Sequence, residues 1–295
     1  MDGNELKEIW QEEAYIFKGI LFNNTEFAEG AEDRITYRFD CPEFEVLKKE
    51  YKIQEIAGNG TSFEKAVNLT RFFAPRLVHD GNFDNHISCN ALELLRYSLN
   101  KPSCGINCLN KSKILQESCL ALKIPARRVW IMPCSPYDMD NHVVTEIYDD
   151  TLSKWVMLDV TSNGYFIDAA SVPLSVIEIR HKLALNEVCN FIKTVSECDK
   201  VFSDKEAESL YYEMYFAKNS FWYAVEKNNG FGDDKEGLYC IPKGFNRYAW
   251  TKQNLEYKLH CLPNNEAIKQ RLKVINEVEY RRLSNISILS LAPQL

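Results

Sequence analysis

The sequence predicts an α+β fold, on three observations. Apolar residues after Cys108 recur at helical spacing, runs between Val129 and Val160 read as strands joined by turn residues, and three x-x-Glu capping signatures open further helices. Together they predict a helix bearing a cysteine, packed on an antiparallel sheet.

The elements follow in chain order. Tyr15 to Phe22, Ile35 to Phe39 and a weaker Tyr51 to Ile56 are strand candidates, which predicts a β-rich N-terminal lobe over residues 1–60. Gly58-Asn59-Gly60 breaks the chain, and Thr61-x-x-Glu64 opens a helix through Phe72. Asn90-x-x-Glu93 opens another through Leu99, and Ser175-x-x-Glu178, with Leu174 before it, a third. Ile114, Leu115, Ser118, Cys119 and Leu122 give the helix after Cys108 one buried face. A core over residues 61–200 is thus followed by a mainly helical region over 201–295. There Tyr211, Tyr212, Tyr215, Phe216, Phe221, Trp222 and Tyr223 crowd one helix, Asn229-Gly230-Phe231-Gly232 interrupts the chain, and a charged amphipathic helix spans Glu266 to Leu283.

Cys108, His142 and Asp159 are the candidate catalytic residues. Cys108 falls in or before the first turn of its helix, where unpaired N–H groups and the helix dipole favour a thiolate and can receive an oxyanion. His142 to Tyr148 alternates as a strand, Asp149-Asp150-Thr151-Leu152 turns, and Trp155 to Val160 forms the next strand. With Tyr148 opposite Ser153, His142 lies opposite Asp159, close enough for the carboxylate to hold one ring nitrogen and leave the other for Cys108. A one-residue slip would place the two on opposite faces.

These segments resemble the transglutaminase-like superfamily. The resemblance runs from about Phe63 to about Leu183 and rests on Gly105-x-x-Cys108, Lys123-Ile124-Pro125-Ala126-Arg127, Asn141-His142-Val143-Val144-x-Glu146, Lys154-Trp155-Val156-Met157-Leu158-Asp159 and Tyr165-Phe166-Ile167-Asp168. It implies a papain-like core in which Cys108 is nucleophile, His142 general base and acid, and Asp159 orienter, with no metal or ATP. Two positions depart from the pattern: Ser112 replaces the usual small residue four places after the nucleophile, and Lys123 the glycine before Ile-Pro-Ala-Arg. Some bacterial relatives pass acyl groups from carrier-protein thioesters to amines. The expected activity is therefore an S-acyl-enzyme acyltransferase with a small-molecule or carrier-protein-tethered donor and a primary amine acceptor. A cysteine peptidase or amidase using water, and a non-catalytic interaction module, are the alternatives.

Composition narrows the partners. The net charge of −7 and pI near 5.4 argue against a general nucleic-acid binder, although Lys123, Arg127 and Arg128, or Arg281 and Arg282, are candidates for a local basic face. An acidic, charged start and the lack of any long apolar run predict a cytoplasmic protein with reduced thiols and no membrane contact.

Other residues carry two readings each. Cys104 is a buried spectator, a resolving thiol or a metal ligand, and the cysteine spacings do not match zinc knuckles. His79 and His86 flank a polar loop that either rims the site or is simply solvated. Trp155 is core. The aromatic helix either packs on the core or supplies a substrate wall, for which Tyr211, Tyr215 and Trp222 are the candidates.

Overall fold

Bulky side chains near the N-terminus follow a period of 3.6 rather than 2, and this decides the first element. A computed structural model describes residues 3–30, 35–99, 101, 103–195, 202, 204–234, 236–277 and 286–291. In it, helix α1 (Gly3–Phe22) buries Ala14 and Leu21 and half-buries Phe17 and Ile20, leaving Tyr15, Ile16 and Phe22 exposed. The expected strand over Tyr15 to Phe22 is therefore a helix, because its stripe packs along α8 (Lys205–Asn219). Of the other N-terminal strand candidates, β1 (Thr36–Tyr37) alone is extended. Tyr51 ends α2 (Pro42–Tyr51), Lys52 turns in the left-handed region, and α3 (Ile53–Ala57) follows, so the described residues of 1–60 are mainly helical rather than β-rich.

The capping signatures mark helix starts correctly. Thr61 and Glu64 close a reciprocal capping box on α4 (Ser62–Phe73), Asn90 caps α5 (Ala91–Ser98) through the Glu93 N–H, and Ser175 and Glu178 box α7 (Val176–Ala184). Helix α6 (Cys108–Ala121) begins at the cysteine, with Asn107 as its N-cap accepting from the Asn110 N–H. It is not amphipathic, however. Every residue from Asn110 to Ala121 is buried, because the sheet covers one side and α2, α4 and α5 the others.

The central sheet is antiparallel in the order β4-β3-β2-β7-β9: β2 (Ala126–Met132), β3 (His142–Asp149), β4 (Lys154–Leu158), β7 (Trp222–Glu226) and β9 (Gly237–Cys240). Between these in sequence, β5 (Gly164–Asp168) pairs with β6 (Cys189–Lys193), and β8 (Asn228–Asn229) pairs in parallel with β1. The fold class is α+β with antiparallel sheets. The aromatic run divides: Tyr211, Tyr212, Tyr215 and Phe216 lie on α8, whereas Trp222 and Tyr223 belong to β7, drawn into the sheet by pairing with Met132 and Ile131. The region after residue 200 thus supplies two strands of the main sheet, β7 beside β2 and β9 at the edge. Helices α9 (Arg247–Cys261) and α10 (Glu266–Val274) follow, the latter covering the start of the helix expected from Glu266 to Leu283; residues 278–283, with Arg281 and Arg282 among them, lie outside the described residues.

Strand alternation sets what each sheet face carries. Val129, Ile131, Val144 and Met157 pack towards α1, α7 and α8, while Ile147, Val156 and Leu158 pack with the helices from α2 to α6. No helix among the described residues is long and apolar enough to cross a membrane.

Candidate active site

Asp159 leaves the sheet just after β4, and the turn that follows holds its carboxylate. The backbone N–H groups of Thr161 and Ser162 donate to Oδ1 at 2.9 and 3.1 Å, while Oδ2 meets His142 Nε2 at 2.7 Å. The register that brings the pair together differs from expectation by two residues: Tyr148 faces Trp155 rather than Ser153, so Asp159 is displaced diagonally from His142. A shift of two preserves the face, and the side chains still meet.

Both groups are fully buried, and their charges sustain each other. Burial alone would lower the His142 pKa, but the Asp159 carboxylate overcomes it, and hydrogen bonding and charge from Cys108 add to the effect; the ring is held well above its ordinary value. For Asp159, burial pushes upward and His142 outweighs it, so its pKa is lowered. With Nε2 committed to Asp159, Nδ1 is the nitrogen left for Cys108. The first N–H groups of α6 have no acceptor within the helix and form a ready site for a developing oxyanion.

Close backbone approach holds the loop before Cys108 in place. Ile106 N–H donates to the Val78 carbonyl at 3.0 Å and Asp80 N–H to the Ile106 carbonyl at 3.1 Å. A Cβ on Gly105 would sit 2.8 Å from Asp80 Cβ, which explains the glycine of Gly105-x-x-Cys108. This contact brings His79 to the wall of a cavity of about 580 Å³ that also contains Cys108, His142, Asn107, Thr161 and Ser162. His79 is held below its ordinary pKa, first by burial and then by the charge of Lys111. His86 instead pairs with Asp84 at the surface and is not part of the cavity wall.

Tyr211, Tyr212 and Tyr215 form the opposite wall. Tyr215 packs edge-on to the His142 ring at 5.5 Å between centroids, stacks on Tyr211 at 5.8 Å, and donates to Asp140 at 3.4 Å. Burial, then Asp140, raises its hydroxyl well above the ordinary phenol value. Trp222 is not part of this cavity; pairing with Met132 sets it in a second one under α9.

The departures and side readings find physical roles. Ser112 Oγ donates to the Val143 carbonyl at 2.7 Å, clasping α6 to β3. Lys123 adopts φ 62° just after α6, the left-handed geometry that favours glycine. Arg127 and Arg128 are buried in ion pairs with Glu146 and with Glu226 and Asp233, so they form no basic face. Trp155 is buried beneath Arg127. Cys104 lies by Tyr97 and outside the cavity wall, and no metal-holding cluster of His, Cys, Asp or Glu occurs among the described residues.

Sequence reasoning missed Lys111. It lies one helical turn after Cys108, is 2% exposed, and has no ion-pair partner within 4.0 Å among the described residues. Burial lowers its pKa to about 8, against the pull of Asp159 and Cys108. No sequence signal marks it, whereas Asn107, an N-cap residue directly before the cysteine, was recognisable by type. Comparison of the chain with protein-family models, with curated proteins and with solved structures found no match.

Proposed function

We propose that the protein is a cysteine-dependent acyltransferase with a transglutaminase-like, papain-like core. The observation that carries this reading is the buried His142–Asp159 pair, 2.7 Å apart, beside a cysteine at a helix N-terminus in an open cavity. Cys108 as thiolate attacks the acyl carbonyl of a thioester, and the oxyanion rests on the N–H groups at the start of α6. Collapse expels the donor thiolate, which takes its proton from the His142 imidazolium. A primary amine then attacks the S-acyl enzyme, yields a proton to His142 and releases the Cys108 thiolate. Thioester and amine become amide and thiol.

A carrier-protein thioester or its small-molecule equivalent is the proposed donor, with the tyrosine wall flanking the acyl chain. Hydrolysis to the acid is the competing outcome, and burial of the acyl group limits water's access to it. Intact-protein mass spectrometry with an acyl N-acetylcysteamine thioester tests the reading. The expected result is an acyl adduct on the wild type, absent in Cys108→Ala, that decays to amide on adding amine. An adduct whose decay ignores every amine, with cleavage of peptide or amide substrates, supports the peptidase reading. No adduct, together with iodoacetamide labelling confined to other cysteines, supports an interaction module.

A further inference from the structure

Lys111 is a buried ionisable group for which the acyl-transfer steps have no use. It lies on α6 one turn after Cys108, 2% exposed, with no ion-pair partner within 4.0 Å among the described residues. Helical side chains lean towards the N-terminus of their helix, and residues three apart have Cβ atoms about 5–6 Å from each other. The lysine stem therefore runs back along the face of α6 that carries Cys108, and it is long enough to span the gap. The electrostatics agree. Asp159 and Cys108 both hold the proton on Lys111, and the charge of Lys111 in turn lowers His79. These three groups of the site come from three separate segments, and the lysine lies within reach of all of them.

A lysine charged in such a place is costly to the fold. Burial lowers its pKa to about 8, so at pH 7 about one Lys111 in ten is already a neutral amine. Acylation of Cys108 shifts the balance further. An S-acyl cysteine carries no charge, and one of the anions that hold the proton on Lys111 is then gone. The acyl enzyme thus has a desolvated amine beside its own thioester, at an effective concentration far above that of an external amine at millimolar level.

We infer that Lys111 is a self-modification site, taking the acyl group from S-acyl Cys108 when no acceptor amine is present. The inference rests on the acyl-transfer reading of Cys108. The neutral Nζ of Lys111 attacks the thioester carbonyl, the carbon–sulfur bond breaks, and Cys108 leaves as thiolate. The surplus proton on nitrogen passes to His142, which is neutral after protonating the departed donor thiol. Thioester and lysine become thiol and Nε-acyl lysine, with no further reactant. The amide removes the buried charge and leaves the acyl chain in the cleft, so the product is stable and closed to the next donor. Acceptor amine and Lys111 compete for one thioester, and an enzyme short of acceptor switches itself off.

The test incubates the protein with the acyl N-acetylcysteamine thioester and no amine, then treats it with neutral hydroxylamine, which strips thioesters and spares amides. The wild type should keep a resistant adduct of one acyl mass that grows as the labile one decays. Mapping after denaturation should place it on Lys111, where tryptic cleavage is lost. A primary amine added with the donor should suppress it. Lys111→Arg, checked for folding by circular dichroism, keeps the charge without the nucleophile, and its adduct should be wholly labile. Cys108→Ala should carry no acyl group on Lys111. A wild-type adduct that hydroxylamine removes completely, or resistant acyl groups on other lysines only, overturns the internal transfer while leaving the S-acyl enzyme intact. Acylation of Lys111 that persists in Cys108→Ala overturns it too, since the donor then reacts directly. Failure of any adduct to form overturns the acyl-transfer reading, and this inference with it.

Discussion

Two buried ion pairs hang from one face of β3, four residues apart, and they differ in what surrounds them. His142 meets Asp159 at 2.7 Å, and Arg127 meets Glu146 at 2.7 Å. The second pair is sealed. Glu146 also accepts from the Val176 N–H, and Arg127 donates to the Leu291 carbonyl and lies over the Trp155 ring. The first pair has an open side, with a cysteine, a tyrosine wall and a lysine that has no ion-pair partner of its own among the described residues. Buried charge by itself therefore does not distinguish the two pairs; access and the neighbouring groups do.

The sharpest break of this symmetry is Asp159→Asn. We expect acylation to fall about 10³–10⁴-fold while the fold persists, since the amide oxygen can still accept from Thr161 and Ser162. In the wild type, the raised His142 pKa contributes stability that is fully present below the unfolded value of about 6.5 and is lost as pH rises through the folded value. The lowered Asp159 pKa contributes stability present above about 3.9 and lost as pH falls through its folded value. In the variant, burial dominates the ring. NMR titration should then find His142 below its ordinary pKa, and a ring still raised would remove Asp159 as its main partner.

Arg127→Met should do the opposite. It leaves Glu146 buried without its cation, a loss of about 3–5 kcal/mol, read as a lower urea midpoint. Cys108 alkylation at low denaturant should change far less than in Asp159→Asn. A comparable loss of alkylation would show that the sealed pair also sets the site.

Lys111→Met probes the smallest difference. A lysine depressed to about 8 contributes most to stability above its unfolded pKa, and that contribution is lost as pH falls through about 8, so at neutral pH its charge is held at a cost. Replacing it should stabilise the protein by on the order of 2 kcal/mol near pH 7, with little gain at pH 10. Donor acylation should slow as stability rises. A variant that is both less stable and equally active would make Lys111 a packing residue.

How much of this was legible depended on the range of the interaction. The caps of α4, α5 and α7, and the cysteine at the start of α6, are written within four residues and could be read. The His142–Asp159 pairing was legible as parity, but its register depended on how the Asp149 to Ser153 turn closed. Residues Tyr15 to Phe22 have strand-forming side chains, yet α8, almost two hundred residues later, gives their stripe a helical partner. Lys111, Arg127 and Arg128 look like surface cations until the packing that buries them is known. Trp222 gives no local sign that it pairs with Met132.

The pairing of β2 with β7 has a consequence for how the protein is made. Until β7 is synthesised, β2 stands at the edge of a three-stranded sheet with one row of backbone groups unsatisfied. At ordinary ribosomal speeds that interval lasts on the order of ten seconds after β2 leaves the exit tunnel. The nascent chain thus carries its cysteine, histidine and aspartate before the strands and helices that complete the clefts around them exist. Chaperone occupancy on the ribosome should peak in that window and fall once residue 240 has emerged.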